Sequence, residues 1–288
     1  MTTDHVRLSA FGDEIADDLT EQLDMLQSEG IGAIEVRKVW GRNILDLAPD
    51  DLHRLRELLD ARGFVVSAIG SPIGKSPITA PRSFEQERLE RAIVAAEALG
   101  TRIIRIFSFH LPADKAHIYR DEVIERITAL TKRAAASGIL LVHENESGIY
   151  GDTAERCRDL LAAIGSPSLR AAFDPANFVQ CRVHPMRDAW PLLADFVVHV
   201  HIKDALFADG SVRPAGEGDG DIPSLLAALR MRDYRGYLTI EPHLQAVDAS
   251  GNLSRVEGMR VAIRALRRLM EESARVPFQA LRRLAPGP

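Results

Sequence analysis

The chain has 288 residues with 36 basic and 41 acidic side chains, and the net charge of −5 offers no electrostatic footprint for a nucleic-acid backbone. Two cysteines, Cys157 and Cys181, argue against a disulfide scaffold. The N-terminal stretch MTTDHVRLSAF lacks the features of a signal peptide and no run approaches the roughly 20 apolar residues of a membrane span, so a cytoplasmic protein without membrane contact is expected.

Short apolar runs alternate with amphipathic stretches along the chain. VRLSAFG (6–12) reads as a strand, and DLTEQLDMLQSEG (18–30) as a helix closed by Gly30, with Leu19, Leu23 and Leu26 at helical spacing. AIEVRK (33–38) is a second strand, followed by the helix PDDLHRLRELLDARG with Pro49 at its start. VVSAIG, RIIRIFS, ILLVHE, LRAAFD, VVHVHIKD and YLTIE continue the strands. The helices between them are SFEQERLERAIVAAEALG, RDEVIERITALTKRAAASG, TAERCRDLLAAIG (where Cys157 packs as a small hydrophobe), MRDAWPLLADF and IPSLLAALRMRDY; RVEGMRVAIRALRRLMEES closes the series.

Eight strand–helix repeats imply parallel pairing and predict a (β/α)₈ TIM barrel of the α/β class, with residues 1–272 as one domain and 273–288 as a C-terminal extension. In the extension, Phe278, Leu281 and Leu284 fall on one apolar face, for docking on the barrel or for an oligomer contact. An open doubly wound sheet is disfavoured, because the first strand runs into AFGDEIADD rather than a glycine-rich phosphate turn.

A barrel of this kind collects its chemistry at the C-terminal strand ends. Strand five ends in His143, Glu144 and Glu146; strand six in Asp174; strand seven in His199 and His201; strand eight in Glu241 and His243. Carboxylates gathered without a cation would repel one another, a conflict that a divalent ion removes. Glu144, Asp174, His201 and Glu241 together form an oxygen-rich set suited to one divalent ion, Mn²⁺ ahead of Mg²⁺, Co²⁺ or Zn²⁺. In VHVHIKD, His199, His201 and Lys203 share one strand face. His199 reads as an inner-layer or substrate-side group, and Lys203 as a holder of a substrate oxygen or phosphate. Glu35, Arg37 and Trp40, in the second half of strand two and just past it, are candidates for the pocket wall. SPIGKSPIT, with Lys75, reads as a loop that covers the mouth.

The motifs LLVHENE, FDPANF, HVHIKDA, RPAGEGDGDIPSLLAAL and GYLTIEPH resemble, in order, those of the xylose isomerase-like TIM-barrel superfamily, the sugar phosphate isomerases and epimerases among them. The resemblance implies Glu144, Asp174, His201 and Glu241 as metal ligands, the same set that the strand ends supply. It also implies proton abstraction beside a carbonyl through an enediolate, with Glu144 and Glu241 as the acid/base pair and a small sugar or sugar derivative as substrate. Three positions depart from the ketose 3-epimerase pattern. Asn177 stands where that subgroup has a substrate-binding histidine, Phe207 where it has an arginine, and Tyr150 where it has a carboxylate.

A second reading starts from His143. HENE followed by YGDT resembles relatives that act on 3-oxo-glycosides, including catalytic subunits of C-glycoside deglycosidases. There His143 would be the base of a lyase reaction, and a small partner subunit would be expected in place of the homo-oligomer that the first reading allows. The alternative is that His143 packs outside the barrel against a helix. An AP endonuclease-type phosphodiesterase needs more clustered histidines and a basic face, and a non-catalytic partner subunit predicts a broken ligand set.

Overall fold

The computed structural model describes residues 6–244 and 254–276, so the apolar face expected at Phe278, Leu281 and Leu284 lies outside the described residues. Eight barrel strands follow one another along the chain: β1 (Arg7–Ala10), β2 (Ala33–Val36), β3 (Val65–Ile69), β4 (Ile103–Ile106), β5 (Leu140–Glu144), β6 (Leu169–Phe173), β7 (Val197–Ile202) and β8 (Tyr237–Ile240). All are parallel, in the order β1-β8-β7-β6-β5-β4-β3-β2. A parallel bridge from Phe11 to Glu35 brings the two ends of this sheet together and nearly closes the barrel.

The outer helices are α1 (Leu19–Ser28), α2 (Pro49–Ala61), α3 (Arg82–Leu99), α4 (Ala116–Ala136), α5 (Ala154–Ile164), α6 (Pro175–Gln180), α7 (Trp190–Leu193), α8 (Ile222–Met231) and α9 (Arg255–Arg275). Their ends follow local chemistry. Asp18 accepts from the Glu21 amide at the start of α1, and Ser254 with Glu257 forms a capping box on α9. Gly100 and Gly165 close α3 and α5 in the left-handed conformation that glycine adopts without strain. On α9, Met259, Ile263, Leu266 and Leu269 recur at helical spacing and are buried against the barrel. No helix among the described residues is long and apolar enough to cross a membrane.

The structure departs from the expected elements in three places. MRDAWPLLADF is not one α-helix: a π turn over Pro185–Ala189 runs into the four-residue α7. Pro191 has no N–H to continue an α ladder, and the Ala189 amide reaches back to the His184 carbonyl instead. Helix α4 begins at Ala116, ahead of the expected Arg120. The short α6 and two small hairpins, Lys38–Val39 with Arg42–Asn43 and Asp204–Ala205 with Val212–Arg213, decorate the C-terminal rim.

Asp204, directly after the inward-facing Lys203, organises the glycine-rich loop that follows β7. One carboxylate oxygen accepts from the Gly220 and Ala205 amides at 2.8 and 2.9 Å, and the other from Gly216 and Gly218 at 2.8 and 3.1 Å. A Cβ at Gly218 or Gly220 would fall 2.4 or 2.6 Å from Asp204 Oδ1, so both glycines are required by close approach. Asp204→Asn turns an NH₂ group toward two of the four amides. Equilibrium urea unfolding is expected to show a loss of about 2–4 kcal/mol, from two buried donors left without acceptors.

Candidate metal centre and pocket

The inner faces of β5, β7 and β8 and the start of α6 converge on one point. Ligand atoms of Glu144, Asp174, His201 and Glu241 all lie within 4.8 Å of one another, and all four residues are buried. Their placement follows from strand alternation. His199, His201 and Lys203 point inward while Val200 and Ile202 pack outward. Asp174 ends β6 and caps α6, accepting from the Asn177 amide at 2.9 Å. Asn145 braces the neighbouring strand end, since its side chain donates to the Asp174 carbonyl and accepts from the Asp174 amide.

Charges of both signs surround the cluster. Lys203 Nζ lies 2.9 Å from Asp174 Oδ2 and 3.3 Å from Glu241 Oε2. Arg105, inside β4, donates to Glu144 at 2.9 Å. Arg37 donates through Nε to Asp13, through Nη2 to Glu14 and through Nη1 to Glu241, at 2.8, 2.6 and 2.7 Å. Burial alone would lift the Glu144 carboxyl, but His201 and then Arg105 outweigh it and hold it at about 2. For Glu241, burial is outweighed by Lys203, His243 and Arg37, which keep it well below the usual carboxylate range. Asp174 goes the other way: burial, added to the repulsion of Glu144 and Glu241, outweighs Lys203 and carries it to about 6.

Above the cluster opens a pocket of about 470 Å³. Arg37, Glu144, Glu146, Asn177, Lys203 and Glu241 all line it, so these expected site residues are brought together. Asn177 Nδ2 sits 3.3 Å from Glu144 Oε1. Lys75 reaches across the mouth to Glu146 at 2.9 Å, tying the loop after β3 to the loop after β5.

Four expected residues lie elsewhere. Glu35 and His199 sit inside the barrel, with no exposed surface, and are bonded to each other. Trp40 occupies the turn of the Lys38–Asn43 hairpin at φ +54°, where the Arg54 guanidinium lies 5.1 Å from its ring centre. His143 faces away from Glu144, with Nε2 2.9 Å from Ser108 Oγ and the ring packed under Gly151. The three departures from the ketose 3-epimerase pattern also have distinct settings. Tyr150 donates to Asp159, Phe207 stacks near His184, and only Asn177 reaches the pocket.

Burial pushes His143 down to about 4, so it stays neutral where an exposed histidine would be charged. The unfolded chain binds this proton near pH 6.5 and the folded chain only near 4, so the site contributes stability above pH 6.5 that is lost as the pH falls toward 4. The contribution is about 3 kcal/mol at most. His143→Gln is expected to flatten the fall in unfolding free energy across that window relative to wild type, measured by urea unfolding from pH 7 to 4.5.

Sequence reasoning missed Arg105, Asp13 and Glu14. Arg105 carried a usable signal, a charge inside the apolar run RIIRIFS, the same kind of signal that marks His199. Asp13 and Glu14 did not, because acids in a loop after a first strand are common.

The family model described as xylose isomerase-like TIM barrel matches residues 23–269. The 2-epi-5-epi-valiolone 7-phosphate 2-epimerase of Actinoplanes sp. (strain ATCC 31044 / CBS 674.73 / SE50/110) is 27% identical over 191 residues, which are 66% of this chain and 69% of the relative. Among solved structures, a xylose isomerase domain protein from Planctomyces limnophilus superposes with a TM-score of 0.72 at 20% identity, covering 96% of this chain and all of that one. The IOLI protein with a binding zinc atom superposes with a TM-score of 0.71 at 14% identity, covering 94% of this chain and 100% of that one. With the matched model spanning most of the barrel, the chain belongs to the xylose isomerase-like TIM barrel family.

Proposed function

We propose that the chain is a divalent-metal-dependent sugar isomerase or epimerase that moves a proton on the carbon beside a carbonyl. The observation that carries this reading is the convergence of Glu144, Asp174, His201 and Glu241 within 4.8 Å beneath an open polar pocket. Three carboxylates and one imidazole, all buried, fit a hard or borderline divalent ion, Mn²⁺ first. An ion held there supplies Lewis-acid stabilisation of the charge that develops on the carbonyl oxygen.

The chain's own residues supply the proton chemistry. Glu144 and Glu241 stand at the two ends of the arc β5-β6-β7-β8 and are held as carboxylates, so one accepts the proton from the carbon, and the other, once it has taken a proton from solvent, returns it to the opposite face. Lys203 and Asn177 offer N–H donors to substrate oxygens beside them, and Arg37 fixes Glu241 from the rim. Glu146 accepts from sugar hydroxyls at the mouth. The relative from Actinoplanes, an epimerase by name, supports the reaction class.

The 3-oxo-glycoside lyase reading needs His143 as a base in the pocket. His143 is 1% exposed and bonded to Ser108 on the far face of β5, which favours the epimerase reading. The test is a panel of free ketoses, sugar phosphates and 3-oxo-glycosides with Mn²⁺ in D₂O. Interconversion of a ketose or its phosphate with deuterium entering beside the carbonyl is expected. Turnover of 3-oxo-glycosides alone would replace the proposal with the lyase.

A further inference from the structure

Beneath the four-residue cluster lies a second polar group that the proton chemistry above does not use. Glu35 projects from β2 into the barrel, at the register shift between Ile34 and Glu35 in the β2–β3 pairing. Its Oε2 lies 2.7 Å from His199 Nε2 and 3.3 Å from His201 Nε2. All three side chains have no exposed surface. Glu35 Oε1, His199 Nδ1 and His201 Nε2 are buried without a well-aligned hydrogen-bond partner. The His201 ring is held edge-on by Phe11 and by His199, each with centroids 5.2 Å away.

His201 thus presents its two nitrogens to two different neighbourhoods. Nδ1 faces the cluster, 3.0 Å from Glu144 Oε1 and 3.9 Å from Glu241 Oε2. Nε2 faces Glu35. A neutral imidazole has one N–H and one lone pair, so a lone pair at Nδ1 requires the proton at Nε2. That N–H is buried and needs an acceptor, and the Glu35 carboxylate is the one beside it. The same oxygen takes the Nε2–H of His199, which in turn sits 3.2 Å from Thr239 Oγ1.

We propose that Glu35, steadied by His199, is a positioning residue that fixes His201 in the Nε2–H form and so holds the Nδ1 lone pair toward the metal. This rests on the metal centre proposed above. A second ion among Glu35, His199 and His201 is the competing occupant, since their ligand atoms also lie within 4.8 Å. Two features disfavour it. The group offers three donors where a structural ion takes four, and His201 has no second lone pair to give once Nδ1 is used.

The test is Mn²⁺ titration by calorimetry on wild type, Glu35→Leu and Glu35→Gln. One ion per chain is expected in wild type. Glu35→Leu is expected to raise the Kd about 10–100-fold, and Glu35→Gln by less, because its amide oxygen still accepts. A Kd for Glu35→Leu within twofold of wild type overturns the proposal. So do two ions in wild type with one lost in Glu35→Leu. If Glu35→Leu does not fold, long-range ¹H–¹⁵N imidazole spectra of the Zn²⁺-loaded wild type decide. A His201 proton on Nε2 supports the proposal and one on Nδ1 overturns it. Absence of any ion binding by wild type strikes at the metal centre itself, whereas undiminished binding in Glu35→Leu strikes at Glu35 alone.

Discussion

Glu144→Gln is expected to lower turnover about 10²–10⁴-fold, the range that a positioned acid or base contributes. The amide cannot take the proton, and it is a weaker ligand than a carboxylate. Glu241→Gln is expected to fall in the same range. The two variants should differ in a way that a general loss of folding does not produce. With one of the two carboxylates left, each variant should exchange solvent deuterium into one epimer while forming little of the other. A mass-spectrometric time course in D₂O with Mn²⁺ reads this directly. Turnover within tenfold of wild type in either variant would remove that residue from the proton transfer. Glu144→Gln also leaves the Arg105 guanidinium, 5% exposed, without its charged partner. The parallel loss of repulsion among Glu144, Asp174 and Glu241 offsets part of that cost.

Arg37→Met is expected to have the largest effect on stability. One guanidinium closes three carboxylates, those of Asp13, Glu14 and Glu241, whose side chains are 4–9% exposed. Its removal leaves Asp13 without a paired cation among the described residues and Glu14 and Glu241 with only His243 and Lys203 beside them, and breaking such a buried pair costs about 3–5 kcal/mol. Arg37→Lys should recover only part, because an ammonium cannot reproduce the three-way fork. The pH dependence has a definite sign. Burial already raises Asp13 and Arg37 is the cation that opposes it, so without Arg37 the folded Asp13 binds its proton more readily than the unfolded chain does and the deficit shrinks as the pH falls from 7 toward 5. Urea unfolding of wild type and variant at pH 7 and 5.5 checks both size and sign. A deficit under about 1 kcal/mol at pH 7 would mean that this network is solvated like an ordinary surface ion pair.

The barrel and the convergence of the four strand-end residues were legible in the sequence for one physical reason. A charged or imidazole side chain at the end of an apolar strand costs burial energy unless something offsets it. Glu144, Asp174, His201 and Glu241 carry that signature on four successive strands. Alternation in VHVHIKD also told which residues share a face. What lay beyond reach was three-dimensional. Glu35 reads as a rim residue because AIEV is buried on both faces, so the pattern does not say which side chain enters the barrel. The register shift beside Glu35 is equally silent in the sequence. Trp40 and Gly41 form a two-residue hairpin turn, and that turn carries the tryptophan out of the pocket lining. His143 could be resolved only by its partner, Ser108, which comes from a neighbouring strand end. Short elements such as α6 and the rim hairpins are too brief for any period to register.

The most direct measurement is the melting temperature of metal-free protein on adding Mn²⁺, compared between wild type and Glu144→Gln. An ion that binds the folded chain alone, at about 100 times its Kd, adds about 2.7 kcal/mol and raises the midpoint by several degrees. A clear rise in wild type that is mostly lost in Glu144→Gln is the expected result. No rise in wild type, or an undiminished rise in Glu144→Gln, would contradict a metal centre built on Glu144, Asp174, His201 and Glu241.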